Sequence, residues 1–504
     1  MPNLLRKPMT RRTFATTVSG GLAALAVGQT TACGRPPTKP TLAEAVAAAE
    51  AARPHTGRTV TASLTAGSAS VDLGGVVVNT LAYGDSLPGP LIRTNAGDEL
   101  AVTLANRLDR PTSAHWHGLA LRNDMDGAAP ATGNVAPGQS FVYRFSTPHP
   151  GTYWAHPHTG VDADYGLYLP VVVDDPAEPG AYDAEWIVVL DDWTDGVGKS
   201  PKQIWDGLRT MSMHHMPGMD MSHMHMSGMG GMRSDLLGGD AGDIAYPYYL
   251  VNGKIPAAPT SFSAKPGQRV RIRLINAGSD TAFRVALADH AMTVTHTDGF
   301  PVRPAEVDAL LLGMGERYDV VVTAKDGVFP LVALAEGKNA YARAALATGS
   351  GALPAPDFHP AELDKRVGTA TMFAAADSVD LGPGKPDTSL AVTLTGSMTQ
   401  YDWALDGKRY PDAAALRIRQ GQRASLVFDN SRTTMWHPMH LHGHTFQVIK
   451  PDGSRGPRKD TVVVLPGQKV AADLVADNPG TWMLHCHNTY HQEAGMMTTL
   501  DYAL

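Results

Sequence analysis

Residues 485–496 read His-Cys-His-Asn-Thr-Tyr-His-Gln-Glu-Ala-Gly-Met, and they say more about the chain than any other stretch of its 504 residues. Cys486, His491 and Met496 supply a thiolate, an imidazole and a thioether. A soft sulfur with nitrogen ligands and a weak axial methionine is the ligand set of a blue-copper electron-transfer site. The alternative is a coincidental group of histidines around a buried cysteine, which leaves the position of Met496 unexplained.

The tripeptide 485–487 also predicts a link between two sites. Neighbouring side chains on a strand point to opposite faces, so Cys486 would face one way and His485 and His487 the other. One short peptide could then join a one-electron copper site to a second metal site behind it.

Three segments repeat one pattern, which runs from a glycine through a polar pair and alternating apolar and polar residues to an asparagine. They are residues 97–106, 267–276 and 421–430. The alternation predicts a half-buried β-strand in each copy. Because the copies lie about 150–170 residues apart, a plausible size for a β domain, we predict domains near residues 45–176, 177–350 and 370–504.

A second repeat relates the first predicted domain to the third. Residues 150–158 match residues 479–487, and residues 115–118 match residues 440–443. Each of these domains therefore contains two His-x-His pairs, whereas the middle domain has none at the corresponding place, residues 315–337. The four pairs are His115 with His117, His156 with His158, His440 with His442, and His485 with His487. Eight histidines from two similar domains suggest a metal cluster between those domains.

The spacing within each pair favours more than one metal ion. On a strand, residues i and i+2 point to one face roughly 6.5–7 Å apart. This separation is too long for both imidazoles to bind one ion easily, but it suits two neighbouring ions with one imidazole each. A single pair arises readily by chance, whereas four pairs in two matched registers could together hold three copper ions.

The first domain lacks the residues of the cysteine site. Thr112, Pro157 and Asp162 stand where the third domain has His437, Cys486 and His491. We therefore predict a single blue-copper site, in the third domain.

With these motifs, the chain resembles a three-domain multicopper oxidase, in the style of bacterial copper oxidases and laccase-like enzymes. The resemblance runs from about residue 55 to residue 504 and covers all four copper motifs. It implies an all-β fold of three cupredoxin-like Greek-key β-barrel domains, which agrees with the strand repeats. It also implies four copper ions, of which one is type 1, one is type 2 and two are type 3.

The resemblance carries over ligands residue by residue. His437, Cys486 and His491 match the type 1 ligands, with Met496 as the axial ligand; His115 and His440 match the type 2 ligands; His117, His156 and His487 match one type 3 ion; and His158, His442 and His485 match the other. His444 matches no ligand, and we expect a loop or core histidine there.

The implied activity is the one-electron oxidation of a donor, with electrons passing through Cys486 to His485 and His487 and reducing dioxygen to water. Cuprous ion is the expected donor, with ferrous ion and phenols beside it and a role in copper tolerance. One alternative is a laccase-like phenol oxidase or a ferroxidase. Another, of a different class, is a methionine-rich copper-sequestering protein. Nitrite reductases also use a blue copper but lack the four histidine pairs.

Dioxygen reduction needs protons, and two acids are candidates for supplying them. Asp126 follows the first histidine pair at the spacing of the family's outer-sphere aspartate, although a turn carboxylate before Gly127 is the competing interpretation. Some relatives carry a glutamate directly after the residue that matches His491, where this chain has Gln492 and then Glu493. Glu493 is therefore the candidate for the second relay.

The net charge of −7 argues against a nucleic-acid partner and against a polybasic membrane surface. Residues 10–14 read Thr-Arg-Arg-Thr-Phe and precede a mildly apolar run too short to span a bilayer. They resemble a twin-arginine export signal within residues 1–33, so we expect the protein in the periplasm or cell envelope. Thr31-Ala32-Cys33 resembles the end of a lipoprotein signal. Thr30 replaces the usual leucine there, and a lipid anchor at Cys33 therefore stays open.

Residues 211–232 hold nine of the 21 methionines and four histidines, interspersed with glycine, serine and proline. The segment has no helical or strand period and cannot form a packed core. Thioethers suit cuprous ion, so we interpret the segment as a site for extra cuprous ions, with accumulation of methionine by drift as the alternative. It falls in the middle domain, whereas related copper oxidases often carry such inserts in the third.

Deleting residues 211–232 should weaken the oxidation of cuprous ion more than the oxidation of an organic dye, because only the metal donor gains from the thioethers. Steady-state rates with both donors measure this difference. Equal loss of both activities, or loss of neither, would contradict the hypothesis.

Overall fold

The computed structural model describes residues 40–178, 182–213 and 232–503. Most of the regular elements are strands, and each sheet takes its strands from one of three consecutive stretches of the chain. We call residues 59–174 the first stretch, residues 184–368 the middle stretch and residues 388–503 the last stretch. The predicted all-β class is confirmed. The predicted signal segment with Cys33, and most of the methionine segment, lie outside the described residues.

The first stretch contains eight strands in two four-stranded sheets, ordered β2-β1-β4-β6 and β3-β8-β7-β5. The strands are β1 Thr59–Asp72, β2 Val77–Tyr83, β3 Ile92–Asn95, β4 Glu99–Asn106, β5 His115–His117, β6 Ser140–Ser146, β7 Gly151–His156 and β8 Leu169–Asp174. Both sheets contribute apolar side chains to one buried core, in which Trp116 is the largest.

The middle stretch contains two six-stranded sheets, ordered β12-β9-β14-β19-β16-β17 and β13-β21-β20-β15-β18-β22, and the small pair β10-β11. The strands are β9 Ala184–Trp193, β10 Arg233–Ser234, β11 Gly239–Asp240, β12 Tyr248–Val251, β13 Ser261–Ser263, β14 Arg269–Asn276, β15 Phe283–Leu287, β16 Met292–Thr297, β17 Phe300–Val307, β18 Ala309–Leu312, β19 Arg317–Thr323, β20 Val328–Ala335, β21 Ala340–Ala347 and β22 Val367–Gly368.

The last stretch contains a six-stranded and a five-stranded sheet, ordered β24-β23-β26-β31-β28-β29 and β25-β33-β32-β27-β30. The strands are β23 Thr388–Thr395, β24 Ala404–Leu405, β25 Leu416–Arg419, β26 Arg423–Asp429, β27 His437–Leu441, β28 Phe446–Ile449, β29 Arg455–Lys459, β30 Thr461–Val464, β31 Lys469–Val475, β32 Thr481–Cys486 and β33 Met497–Ala503.

All three stretches use the same pairing. In one sheet, the opening strand runs parallel to the strand of the glycine-to-asparagine repeat, as β1 with β4, β9 with β14 and β23 with β26. In the other sheet, a short strand runs parallel to a later one, as β3 with β8, β13 with β21 and β25 with β33. The sequence repeat therefore marks one architecture used three times.

The hydrogen bonds of the asparagine that ends each repeat explain why this residue recurs. Asn106, Asn276 and Asn430 are buried, and each side-chain amide donates to two main-chain carbonyl groups. Buried carbonyls without a partner cost roughly 1–3 kcal/mol each, so the amide stabilises the turn that follows the strand. The glycine that opens each repeat has φ between +81° and +85°, a conformation that favours glycine.

The prediction of half-buried strands is right for β26, where burial alternates along the strand, and wrong for β14, where Val270 to Asn276 are all buried. Arg271 and Arg273 lie on the face that was expected to meet solvent. Both guanidinium groups donate to the carboxylate of Asp319, and Arg273 also donates to Thr152 of the first stretch. Packing between the stretches therefore buries both faces of β14, although the alternating sequence of this strand predicts one exposed face.

The described part of the chain contains three α-helices: α1 Leu42–Ala51, α2 Pro201–Met213 and α3 Thr489–Ala494. A capping box, formed by Thr41 and Glu44, starts α1. Short 3-10 helices occupy Asn123–Met125, Asp162–Asp164, Asp235–Leu237, Ala361–Asp364 and Ala370–Met372. No helix among the described residues combines the length and the apolar character needed to cross a bilayer.

Candidate metal centre

Three ligand atoms meet in a small triangle. His437 opens β27, Cys486 ends β32 and His491 lies in α3, and all three side chains are fully buried. Sγ of Cys486 lies 3.6 Å from Nδ1 of each histidine, and the two Nδ1 atoms are 3.1 Å apart. The centre of such a triangle lies about 2 Å from each atom, the distance at which imidazoles bind divalent transition metals.

Hydrogen bonding shows that both Nδ1 atoms present lone pairs. Nε2 of His491 lies 3.0 Å from the carboxylate of Asp243, which accepts its proton. Nε2 of His437 lies 3.0 Å from Oγ1 of Thr433, a hydroxyl that donates its own proton elsewhere. A neutral imidazole has one N–H, so two lone pairs face each other beside a thiol. A metal cation fits this arrangement.

Met496 and Trp403 complete the surroundings of the triangle. The main-chain oxygen of Met496 accepts from the N–H of Cys486 at 3.1 Å, which places the fully buried methionine beside the cysteine. The indole of Trp403 packs 4.3 Å from the ring of His491 and 5.2 Å from that of His437, between ring centres. These apolar neighbours exclude water from the triangle.

The eight paired histidines form one cluster between the first and last stretches. His115 stacks on His442 with ring centres 3.6 Å apart, and His117 stacks on His440 at 3.8 Å. The stacked rings always come from different stretches, so neither stretch builds the cluster alone.

The middle stretch closes one side of this cluster with a glycine. A Cβ atom on Gly315 would lie 2.9 Å from ring carbons of both His117 and His487. Any larger residue would displace these rings, and the φ of +83° at Gly315 also favours glycine.

Some ring nitrogens that face each other inside the cluster carry no proton, so no hydrogen bond can form between them. Nε2 of His442 lies 3.0 Å from Nε2 of His485. Each of these rings uses its Nδ1–H elsewhere, for Asp126 Oδ2 and for the carbonyl of Cys486, both at 2.9 Å. Both Nε2 atoms are therefore acceptors, and their close approach is favourable only with a cation between them.

Other cluster histidines also turn ring nitrogens toward one another. Nδ1 of His117 lies 3.2 Å from Nε2 of His487, while Nε2 of His117 donates to the carboxylate of Asp460 at 3.1 Å. Four buried ring nitrogens have no hydrogen-bond partner at all: Nε2 of His115, His156 and His440, and Nδ1 of His487. Buried polar atoms normally find partners, so these orphan nitrogens fit metal ligation.

Burial keeps most of these imidazoles neutral, as ligation requires. It lowers the pKa of six histidines well below the ordinary value: His117, His156, His437, His442, His485 and His487. It also lowers the pKa of His440, and it lowers that of His158 to about 3. Burial raises the pKa of the Cys486 thiol, so a bound metal ion would have to displace that proton.

Comparison with known proteins decides the family. Models of the multicopper oxidase family match residues 65–178, 184–351 and 384–503. The chain is also 64% identical over 463 residues to the multicopper oxidase MmcO of Mycobacterium tuberculosis, a match that covers 91% of this chain and 90% of that protein.

The chain belongs to the multicopper oxidase family.

More distant relatives share the fold of this oxidase. It is 27% identical to copper resistance protein A of Escherichia coli, over 86% of this chain and 91% of that one. Among solved structures, Fet3p, a multicopper oxidase that functions in iron import, matches with a TM-score of 0.72 at 21% identity, over 88% of this chain and 90% of that chain. The laccase of Botrytis aclada matches with a TM-score of 0.71 at 23% identity, over 91% and 90%.

Asp126 lies where the sequence placed it, against the histidine cluster of the oxidase. Its Oδ2 accepts from His442, its main-chain oxygen accepts from Nδ1 of His115 at 2.9 Å, and its Oδ1 has no hydrogen-bond partner. Glu493 is half-buried in α3, and the structure shows no hydrogen bond from it to a cluster histidine. Burial is the main cause that raises the pKa of Glu493, and the negative charge of Asp162 raises it further. The relay role of both acids stays a prediction.

Sequence reasoning missed two carboxylates of the oxidase. Asp460 reaches the cluster histidines and Asp243 reaches His491 of the triangle. Burial raises the pKa of Asp460, but Arg317 and His117 outweigh burial and hold it well below the ordinary value. Neither acid lies in a His-x-His motif, and no signal in the chain distinguishes them from other aspartates. His444, as expected, is a core histidine, bonded to the hydroxyl of Tyr502 at 2.7 Å.

The metal-free oxidase should lose stability as the pH falls below about 6.5, the ordinary value for histidine. Histidines whose folded pKa is lowered take up protons only when the chain unfolds, so stability is full above that pH and declines below it. Each such imidazole contributes up to roughly 1 kcal/mol per pH unit. Seven acids whose pKa burial raises act in the opposite direction: Asp164, Asp191, Asp195, Asp240, Asp280, Glu316 and Glu493. Twelve histidines have a lowered pKa, because His149, His290, His296 and His444 join the eight named above, so the histidines outnumber the acids.

Urea unfolding of the metal-free chain at pH 7.5 and pH 5.5 measures this change. A free energy of unfolding that is equal at both pH values would contradict the neutral, buried histidines.

Proposed function

We propose that this multicopper oxidase couples the one-electron oxidation of cuprous ion to the four-electron reduction of dioxygen to water, and that it serves copper tolerance. One observation carries the proposal. Cys486 faces the triangle, while His485 and His487, its neighbours in the chain, face the histidine cluster. An electron donor site and an oxygen site are thus joined by adjacent residues.

The proposed division of the copper ligands is the one that the resemblance to the family implies. In two of its sets, those of His437 with Cys486 and His491 and of His158 with His442 and His485, the ligand atoms lie within 4.8 Å of one another. His437, Cys486 and His491 would hold the type 1 ion together with Met496; His115 and His440 the type 2 ion; His117, His156 and His487 one type 3 ion; and His158, His442 and His485 the other. Bound copper would supply one-electron acceptance in the triangle and the reduction of dioxygen in the cluster.

The residues between the two sites offer a short route for electrons. The peptide continues from Cys486 directly to His485 and His487, and Nδ1 of His485 donates to the carbonyl oxygen of Cys486 at 2.9 Å. Because the three residues are buried, this route excludes solvent along its length.

Asp126 is the best placed residue to hand protons to the cluster. Its unbonded Oδ1 lies 3.3 Å from Nδ1 of His115, and its Oδ2 bonds to His442, so it touches ligands of two proposed copper ions. A carboxylate in this position can accept a proton at Oδ1 and pass it on.

Acidic groups beside His491 favour a cationic donor. Asp243 accepts from Nε2 of His491 and from the hydroxyl of Tyr401 at 2.9 Å, and its Oδ1 has no partner. Half-buried Asp240 lies close enough for Asp243 and His491 to influence its pKa, which burial raises. Two carboxylates next to the electron entry point attract metal cations more than neutral phenols.

Described residues on both sides of the methionine segment contact or include groups of this acidic entrance. Helix α2 leads into the segment, and Trp205 of α2 packs against Tyr401 with ring centres 6.0 Å apart. The chain returns at β10 and β11, and β11 ends at Asp240. Thioethers that collect cuprous ion would therefore release it close to His491. The copper resistance proteins among the relatives are consistent with this substrate.

Phenols and ferrous ion are the second candidate donors, since laccases and iron-transport oxidases are among the relatives. For the location we propose export to the periplasm or cell envelope, with a lipid anchor at Cys33 as a further candidate feature.

The direct test is oxygen consumption by the copper-loaded oxidase with cuprous, ferrous and phenolic donors side by side. We expect the fastest uptake with cuprous ion. The variant Cys486→Ser should lose the blue charge-transfer colour and fall to background uptake with every donor, because serine supplies no thiolate. It should keep the copper of the histidine cluster, which does not use the sulfur. Copper binding without coupled oxygen uptake in the wild-type chain would indicate sequestration instead.

The variant Asp240→Asn should raise the KM for cuprous ion and leave the KM for a neutral organic dye unchanged, because it removes charge without touching a ligand. Asp235→Asn, an exposed acid on the same returning segment, is the matched control and should change neither value. If Asp240→Asn raises both constants equally, Asp240 does not select cations.

A further inference from the structure

Two aspartates hold the histidine cluster in a symmetrical way. The main-chain oxygen of Asp126 accepts from His115 of its own stretch, and its carboxylate accepts from His442 of the other. Asp460 repeats this pattern from the opposite side. Its main-chain oxygen accepts from Nδ1 of His440 at 2.9 Å, and its carboxylate accepts from His117 of the first stretch.

In His117 the two ring nitrogens have exchanged roles, so that Nδ1 and not Nε2 faces the interior of the cluster. In five cluster histidines, Nδ1 donates outward and Nε2 is left for the interior: His115, His156, His440, His442 and His485. His117 has the reverse arrangement, since its Nε2–H donates to Oδ1 of Asp460 and its Nδ1 faces His487. The carboxylate of Asp460 therefore determines which nitrogen of His117 is available as a ligand.

Arg317 of the middle stretch fixes that carboxylate. Its two terminal nitrogens donate to Oδ1 and Oδ2 of Asp460 at 2.8 and 2.7 Å, and both residues are fully buried. Oδ1 also accepts from the hydroxyl of Thr461 at 2.9 Å. A bidentate pair of this kind sets orientation as well as charge, so Asp460 has no freedom to turn away from His117.

We infer that Asp460, held by Arg317, is the positioning residue that turns Nδ1 of His117 toward the copper cluster. This inference rests on the proposed copper arrangement and adds to it a second carboxylate with a role different from that of Asp126. Asp126 keeps one oxygen unbonded, as a relay needs, whereas every oxygen of Asp460 is engaged by a donor.

The variant Asp460→Asn tests the inference. Asparagine keeps one acceptor and gains one donor, so its NH2 group must meet a donor of either Arg317 or His117. We expect the affinity of the histidine cluster for copper to fall roughly 10–100-fold, as is typical when a partner of a metal-bound histidine is lost. The blue colour of the Cys486 site should be unchanged. Competition with a copper chelator measures the affinity.

Asp319→Asn is the matched control. Asp319 accepts from Arg271 and Arg273 at 2.6 and 3.0 Å, is as deeply buried as Asp460 and contacts no cluster histidine. Both variants should lower the melting temperature of the metal-free chain, but only Asp460→Asn should weaken copper binding. Equal copper affinity in Asp460→Asn and wild type, or equal weakening in both variants, would show a purely structural ion pair and overturn the inference.

Thr461→Val is the milder variant if Asp460→Asn does not fold. It removes only the hydroxyl that lies 3.2 Å from Nε2 of His117 and donates to Asp460, and it should weaken cluster copper in the same direction by a smaller factor. Unchanged affinity there would overturn the inference. A wild-type chain that binds copper only at Cys486 would overturn the proposed function as well, so the two failures are distinguishable.

Discussion

Imidazole lone pairs that face one another across about 3 Å are the constraint on which the rest of the structure depends. His442 and His485 meet in this way in the cluster, and His437 and His491 meet in this way beside Cys486. Without a cation such contacts repel, and burial lowers the pKa of three of these rings so that protons do not relieve the repulsion. The fold holds these rings together against their own electrostatics, which a metal ion would reverse.

The need to hold these imidazoles close together explains why three similar stretches have different roles. The first and last stretches supply the histidine pairs, and only their association builds the cluster. The described residues of the middle stretch supply none of the eight cluster histidines, yet Gly315 lets the rings of His117 and His487 approach and Arg317 anchors Asp460. Two of the three similar stretches thus carry the paired histidines, and the third fits around them.

Periodic features of the chain were predictable from sequence, and contacts between stretches were not. The glycine-to-asparagine repeat predicted three equivalent strands because its glycine and one of the two asparagine hydrogen bonds act within a single turn. The second hydrogen bond of each asparagine reaches a carbonyl 29 to 36 residues away. Strand β14 was predicted as half-buried, but its arginines meet Asp319 and the first stretch, which no local pattern reveals. The paired histidines were recognisable as candidate ligands because the spacing within each pair is set locally in the chain.

The two carboxylates that sequence reasoning missed differ from the ligands in this respect. Asp460 acts on His117, 343 residues away, and Asp243 acts on His491, 248 residues away. Neither contact follows from a periodicity, because each depends on how separate stretches pack. Candidate ligands of a metal site can thus be recognised from motifs, whereas in His117, His442 and His491 the choice of ring nitrogen is made by partners distant in the chain. Since that choice decides whether a histidine can bind metal at all, the cluster is a property of the packed stretches together.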